Sequence, residues 1–332
     1  MLKKIIYSAI VLIILFFSFL FLSQGRVYAP DELIYGATFS KKQAENLNLN
    51  WQEAYLAMLD DLKIKNLRLP AYWNEIEAEK DKYNYNDLDW QIKEASQRGV
   101  NIIVAVGGRL PRWPECHWPE WAEKTNKEMR ENEILEYIEY TIKKYKNIKE
   151  ISAWQIENEP FLSHFGDCPK TDKKFLDKEI FLTRSLDSRP VIVTDSGELS
   201  LWVGAAKRAD IFGTTMYKDT YSSHLKSYIH YPISPAFFKI KKNITSLFAQ
   251  PKKWIVIELQ AEPWCKIPFQ NASPEERDRT MNLKKLKNML EFARQTGFRE
   301  FYLWGVEWWY WEKTTNNNPL LWEEIKLLIN KT

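Results

Sequence analysis

The sequence predicts an α/β protein built as a closed (β/α)8 barrel of eight parallel strands, each followed by a helix. Three observations carry this. Eight short apolar runs alternate along the chain with amphipathic segments. Several of the runs are apolar throughout, as in strands buried on both faces. The turn after the first run, Tyr35-Gly36-Ala37-Thr38-Phe39, lacks the glycine-rich phosphate cradle of a doubly wound nucleotide-binding sheet.

The candidate strands are residues 33–39, 66–69, 101–106, 151–156, 190–194, 211–216, 254–258 and 301–304. Between them, residues 51–63, 88–98, 132–145 and 171–186 carry helical periodicity. In the seventh helix, Ser273 and Glu276 form a capping box, Pro274 takes the first helical position and Gly297 supplies the stop. Gly99 ends the second helix in the same way.

Residues 1–30 differ from the rest. Lys3 and Lys4 precede an uncharged apolar run over residues 5–22. Such a run meets the lower length for spanning a bilayer and is long for a cleaved signal core. The small-residue cleavage candidate Val27-Tyr28-Ala29 is followed by Pro30, which peptidases tolerate poorly. The expectation is a single-pass N-terminal transmembrane helix acting as a signal-anchor, with residues 31–332 outside the cytoplasmic membrane. If the segment is cleaved instead, the catalytic domain is secreted.

Charged residues make up 27% of the chain and the net charge is only +3, with lysines spread over the helices. That pattern reads as a solvated surface and excludes a nucleic-acid face. Of the three cysteines, Cys116 and Cys168 fall in neighbouring loops, and a bridge between them is the favoured reading. A zinc site using Cys116, His117 and Cys265 matches no zinc spacing, so no metal and no cofactor is expected.

In such barrels the reactive groups stand where strands end and the following loops begin. The fourth run ends Ile156-Glu157-Asn158-Glu159-Pro160 and the seventh ends Glu258-Leu259-Gln260-Ala261-Glu262. A carboxylate directly after an apolar strand is costly unless paired or solvated, so two of them facing one another point to function. Glycosidic bond cleavage needs such a pair: one carboxyl protonates the leaving oxygen while the other attacks the anomeric carbon or activates water.

With Asn158-Glu159-Pro160 closing the fourth strand and Glu258 closing the seventh, the chain resembles the retaining glycoside hydrolases of clan A, the cellulase and β-galactosidase superfamily. The stretch from Tyr72-Trp73-Asn74-Glu75-Ile76-Glu77 through Tyr83 to Asp89 is similar to that family's segment after strand two. The resemblance extends from about Leu33 to Trp309 and implies roles. Glu159 would be the acid/base and Glu258 the nucleophile. Asn158 would bond the sugar 2-hydroxyl. Arg68 would orient the nucleophile and hold it ionised, with Tyr217 as second donor. Trp304 would form the apolar platform under the sugar. Two departures stand out: Gly107-Gly108-Arg109 replaces the histidines of some relatives, and Glu262 offers a second nucleophile candidate. Glu157 could pair with a base lining the barrel, and the loop histidines His117 and His164 read as structural.

Nine of the fifteen tryptophans belong to strand ends or loops on the catalytic side. Of these, Trp73, Trp264 and Trp308 join Trp304 as candidate sugar contacts, because indole faces suit the apolar faces of pyranose rings. The reading is a retaining glycosidase acting by double displacement on β-linked oligo- or polysaccharide, with a carbohydrate substrate and a lipid bilayer as its partners. Double displacement places the two carboxyl groups about 5 Å apart. The alternative is a membrane-anchored carbohydrate-binding or scaffold protein on a degenerate hydrolase barrel.

Overall fold

The computed structural model describes residues 32–331 except 163, 164, 170, 171 and 224, together with residues 6–8, 10, 11, 13, 14 and 18. The expected anchor over residues 5–22 therefore falls mostly outside the described residues. Among those described, no helix is long and apolar enough to cross a membrane.

All eight expected strands form. In chain order they are β1 (Ile34–Thr38), β2 (Asn66–Pro70), β3 (Asn101–Val106), β4 (Ile151–Ile156), β5 (Val191–Asp195) and β6 (Ile211–Met216). A hairpin, β7 (Asp219–Ser222) and β8 (Ser227–His230), then precedes the last two barrel strands, β9 (Lys253–Gln260) and β10 (Glu300–Trp304). The barrel closes in the order β1-β10-β9-β6-β5-β4-β3-β2, with every neighbouring pair parallel.

Two apolar layers hold it. Inside the barrel, Ile103, Ala153, Ile192, Ile255, Ile257 and Tyr302 pack together. Gly36 makes room for the Tyr302 ring, since a Cβ there would stand 2.9 Å from Tyr302 Cε1 and 2.5 Å from the Asn66 carbonyl oxygen. The larger layer lies between strands and helices, where Trp154, Trp202, Trp309 and Trp322 are fully buried.

The strand β9 is irregular where it matters. Thr214 and Thr215 of β6 pair with Val256 and Glu258, so Ile257 is an extra residue, and the pairing with β10 shifts at the same place. Such a bulge re-aims the side chain that follows it; here that side chain is Glu258.

One helix and one connection depart from expectation. The capping box is real, with Ser273 accepting from the Glu276 N–H, but it opens only a short helix, Pro274–Asp278. The chain then breaks, and the main helix Leu283–Arg294 has its own cap, the Asn282 side chain accepting from the Lys285 N–H. The β7–β8 hairpin carries no alternating apolar pattern in the sequence and was not expected. Gly99 and Gly297 end their helices at φ +63° and +81°, in the left-handed region.

Candidate active site

The C-terminal ends of β2, β4, β6 and β9 converge on one buried network. Arg68, fully buried on β2, donates to Glu258 Oε1 from both Nη1 (3.0 Å) and Nη2 (2.9 Å). Its Nη1 also donates to the Ile257 carbonyl at the bulge (3.0 Å), and its Nη2 to Asn158 Oδ1 (3.2 Å). The Tyr217 hydroxyl donates to Glu258 Oε2 at 2.9 Å. Both oxygens of Glu258 thus accept hydrogen bonds, one from a cation. A buried carboxylate needs such partners.

Glu159 stands on the strained end of β4, at φ +44°, two residues after Glu157 at φ +58°. Its N–H donates to Thr194 Oγ1 (2.8 Å) and its Oε1 accepts from Thr215 Oγ1 (3.2 Å). Burial pushes its carboxyl well above the ordinary range, and the charges of Glu258 and Glu115 push it further. Asn158, between the two strained residues, accepts on Oδ1 from Arg68, Gln155 and Thr194. Its Nδ2 donates to Glu115 Oε2 at 3.2 Å.

Glu115 and Arg112 carry structure that the sequence left unassigned, and Glu157 has a partner other than the one expected. The carboxylate of Glu157 accepts from the Gly108 N–H (2.7 Å) and the Arg109 N–H (2.6 Å), so its partner is loop backbone and not a barrel-lining base. Gly107 must be glycine for this: its φ is +141° and a Cβ would meet Glu157 Oε1 at 2.6 Å. The same loop, residues 107–118, is tied to the loop after β4 by the Cys116–Cys168 disulfide; Cys265 is free. Glu115 is buried, and burial lifts its pKa to about 8 against the pull of Arg109.

Arg112 folds back over the barrel mouth. Its guanidinium lies 4.1 Å from the centre of the Trp304 ring, bonded to Glu262 (Oε2, 3.0 Å) and Glu307 (Oε2, 2.9 Å). This changes two expectations. Trp304 is not an open platform, since it is only 6% exposed beneath a guanidinium. Glu262 is committed to Arg112, whereas Glu258 holds Arg68 and Tyr217.

The other tryptophans divide. Trp264 makes an edge contact with Tyr217 (5.2 Å between centroids) and joins the network. Trp73 does not: it is wholly buried, stacks on Tyr137 and donates to Glu77 Oε2 at 2.7 Å. Trp308 is 3% exposed and packs on Phe269. Both are core side chains because the loop segments that carry them, at Trp73–Ile76 and Val306–Thr314, fold as helices against the barrel. His117 is buried; its Nδ1 faces Lys42 Nζ (3.3 Å) and its Nε2 the Arg112 carbonyl (3.0 Å). Burial lowers its pKa to about 3, so the neutral ring clamps the loop.

Among the described residues, Glu77, Asp81 and Glu133 bring carboxylate oxygens within 4.8 Å of one another. Glu77 already accepts from Trp73 and the Asp81 N–H, and Glu133 pairs with Lys80.

The barrel resembles solved glycosidases. The β-galactosidase of the Antarctic haloarchaeon Halorubrum lacusprofundi aligns at 13% identity and TM-score 0.56, over 82% of this chain and 52% of that one. The GH5_18 protein from Streptomyces cattleya, solved with GlcNAc, aligns at 10% identity and TM-score 0.58, over 84% and 70%. An exo-β-1,4-mannosidase from Opitutaceae bacterium strain TAV5 aligns at 12% identity and TM-score 0.54, over 85% and 54%. The chain thus spans about half the length of the first and third of these, and at such identities the likeness is one of fold. No curated protein matches the chain. A family model is more direct: residues 35–210, from β1 to the threshold of β6, match it, and the chain belongs to the cellulase family, glycosyl hydrolase family 5.

Proposed function

We propose that the protein is a retaining glycosidase cleaving β-linked oligo- or polysaccharide by double displacement. The observation that carries this reading is the contrast between two neighbouring carboxyls. Glu258 has both oxygens oriented by Arg68 and Tyr217, while Glu159 is buried and held well above the usual carboxylate range by burial and by Glu258. Environments that push two carboxyls apart separate an acid from a nucleophile.

In the first step a Glu258 oxygen bonds to the anomeric carbon as the glycosidic C–O bond breaks, and Glu159 gives its proton to the leaving oxygen. In the second, water attacks the anomeric carbon, Glu159 takes the water's proton, and the ester to Glu258 breaks. The geometry of this mechanism is a carboxyl separation of about 5 Å. In this reading Asn158 bonds the sugar 2-hydroxyl and Trp264 meets a ring face. Trp304 reaches a sugar only if Arg112 moves off its ring.

The basic start and apolar run over residues 5–22 support a signal-anchor with the barrel outside the cytoplasmic membrane. The Cys116–Cys168 bridge supports an oxidising compartment.

The test is a screen of the purified protein on aryl β-glycosides and on β-glucans, mannans, xylans and galactans, beside Glu159→Gln and Glu258→Gln. Hydrolysis lost in both variants is the expected result. Glycan binding by the wild type and by Glu258→Ala, with hydrolysis by neither, would replace the enzyme with a binding barrel.

A further inference from the structure

The end of the barrel opposite Glu159 and Glu258 is formed by the connections leading into the strands. In those entering β2 to β6, β9 and β10, counting each strand's first residue, every exposed charged side chain is basic. They include Lys65, Lys149, Lys207, Lys252, Lys253 and Arg299. The acids of the same segments are withdrawn and paired: Asp61 with Lys313 and Lys326, Glu150 with Lys149, Asp187 with Arg189, Asp210 with Arg184 and Glu300 with Lys253. Among the described residues, the exposed acids near the rim include Asp60, paired with Arg98, Glu291, paired with Arg294, Glu323, whose charge acts on Lys326, and Glu32. A chain of net charge only +3 thus gathers exposed cations on one face.

Exposed apolar side chains share that face. Leu247 is 79% exposed and Phe248 60%, in the connection before β9; Ile34, the first residue of β1, is 43% exposed. Because β9, β10 and β1 are consecutive in the barrel, Leu247, Phe248, Lys252, Lys253, Arg299 and Ile34 occupy one arc of the rim. The chain joins the barrel on this arc, at Ile34. Only residues 23–33 separate it from the apolar run, a link that reaches at most about 40 Å when fully extended.

We propose that this face lies on an anionic bilayer surface, with Leu247 and Phe248 in the headgroup region and Lys207, Lys252 and Arg299 against lipid phosphates. The inference rests on the anchoring reading above for how the face is delivered, and on the rim itself for how it is held. Apolar side chains ringed by lysine and arginine are what an interfacial contact requires. The consequence is orientation: the catalytic end points away from the membrane, toward extracellular glycan.

The experiment uses the full chain in vesicles of phosphatidylcholine, with and without phosphatidylglycerol, and lipids carrying a headgroup quencher. A fluorophore is placed at Phe248→Cys or, on the opposite face, at Trp113→Cys, each in a Cys265→Ser background. The expected result is several-fold stronger quenching at 248 than at 113 when phosphatidylglycerol is present, relieved by Lys207→Glu with Lys252→Glu and Arg299→Glu. High salt relieves it as well, by screening and without any substitution. Chain retained on both vesicles, with 248 no more quenched than 113, overturns the docking and leaves the anchor standing. Chain absent from neutral vesicles, but bound to anionic ones with 248 quenched, overturns the anchor and supports the docking. Binding to neither overturns both.

Discussion

Arg68 joins Asn158 to Glu258: its Nη2 lies 3.2 Å from Asn158 Oδ1 and 2.9 Å from Glu258 Oε1. One guanidinium therefore fixes the ends of β4 and β9, which β5 and β6 separate in the barrel. Arg68→Lys keeps the charge but loses the fork, and lysine does not replace a bidentate arginine. The expected loss in kcat/KM is about 10- to 100-fold, the worth of a hydrogen bond to a charged group. Arg68→Ala leaves Glu258 buried and uncompensated, at a cost of about 3–5 kcal/mol in stability. Steady-state kinetics and thermal melts separate the two.

Tyr217→Phe removes the donor to Glu258 Oε2 and leaves the ring against Trp264. The fold should be retained, while kcat falls about tenfold or more.

Glu115 gives the site a pH signature. Its carboxyl is raised to about 8 by burial, so its stabilising contribution is complete below the unfolded value near 4.5 and is lost as pH rises through about 8. Glu307 and Glu198, each raised to about 7 by burial, act in the same direction. Melting temperature should fall between pH 5 and pH 9, and less steeply in Glu115→Gln. Because the Glu115 charge raises Glu159, the same variant should move the alkaline limb of kcat/KM to lower pH. An unmoved limb would separate Glu115 from the acid.

The disulfide closes a segment of sequence separation 52 and tethers the loop that carries Arg112 and Glu115. Cys116→Ser with Cys168→Ser should cost about 2–4 kcal/mol and lower activity more steeply than the melt alone explains. Differential scanning calorimetry beside kinetics checks this.

Trp73→Ala and Trp264→Ala should behave oppositely. The first opens a cavity beneath Tyr137 and costs about 3–5 kcal/mol. The second should leave the melt nearly unchanged and raise KM.

The barrel was legible because apolar strands punctuated by amphipathic helices constrain local structure directly, and the same register placed Asn158, Glu159 and Glu258 at the ends of β4 and β9, where the structure has them. What the sequence concealed lies in long-range contacts. Nothing local marks Trp73 as core, since the decision belongs to Tyr137 on another helix, while Glu77, the cap of its own helix, only takes its N–H. Nothing around Arg112 marks it as the residue that covers Trp304, since its partners, Glu262 and Glu307, are 150 and 195 positions away. Glu115 stood within a recognised loop, yet its meaning depends on meeting Asn158 43 residues later. Glu258 against Glu262 was ambiguous by position alone; the contacts that favour Glu258 in the proposed mechanism, with Arg68 and Tyr217, are long-range, as is that of Glu262 with Arg112.

The most direct test of the mechanism is azide rescue on an aryl β-glycoside that the wild type hydrolyses, with the configuration of the glycosyl azide read by proton NMR. Glu258→Ala should yield the α-azide, because azide enters the face that the missing nucleophile would have attacked. Glu159→Ala should yield the β-azide, because azide then opens the glycosyl-enzyme formed on Glu258. An α-azide from Glu262→Ala, with Glu258→Ala still forming a glycosyl-enzyme, would contradict the assignment of Glu258.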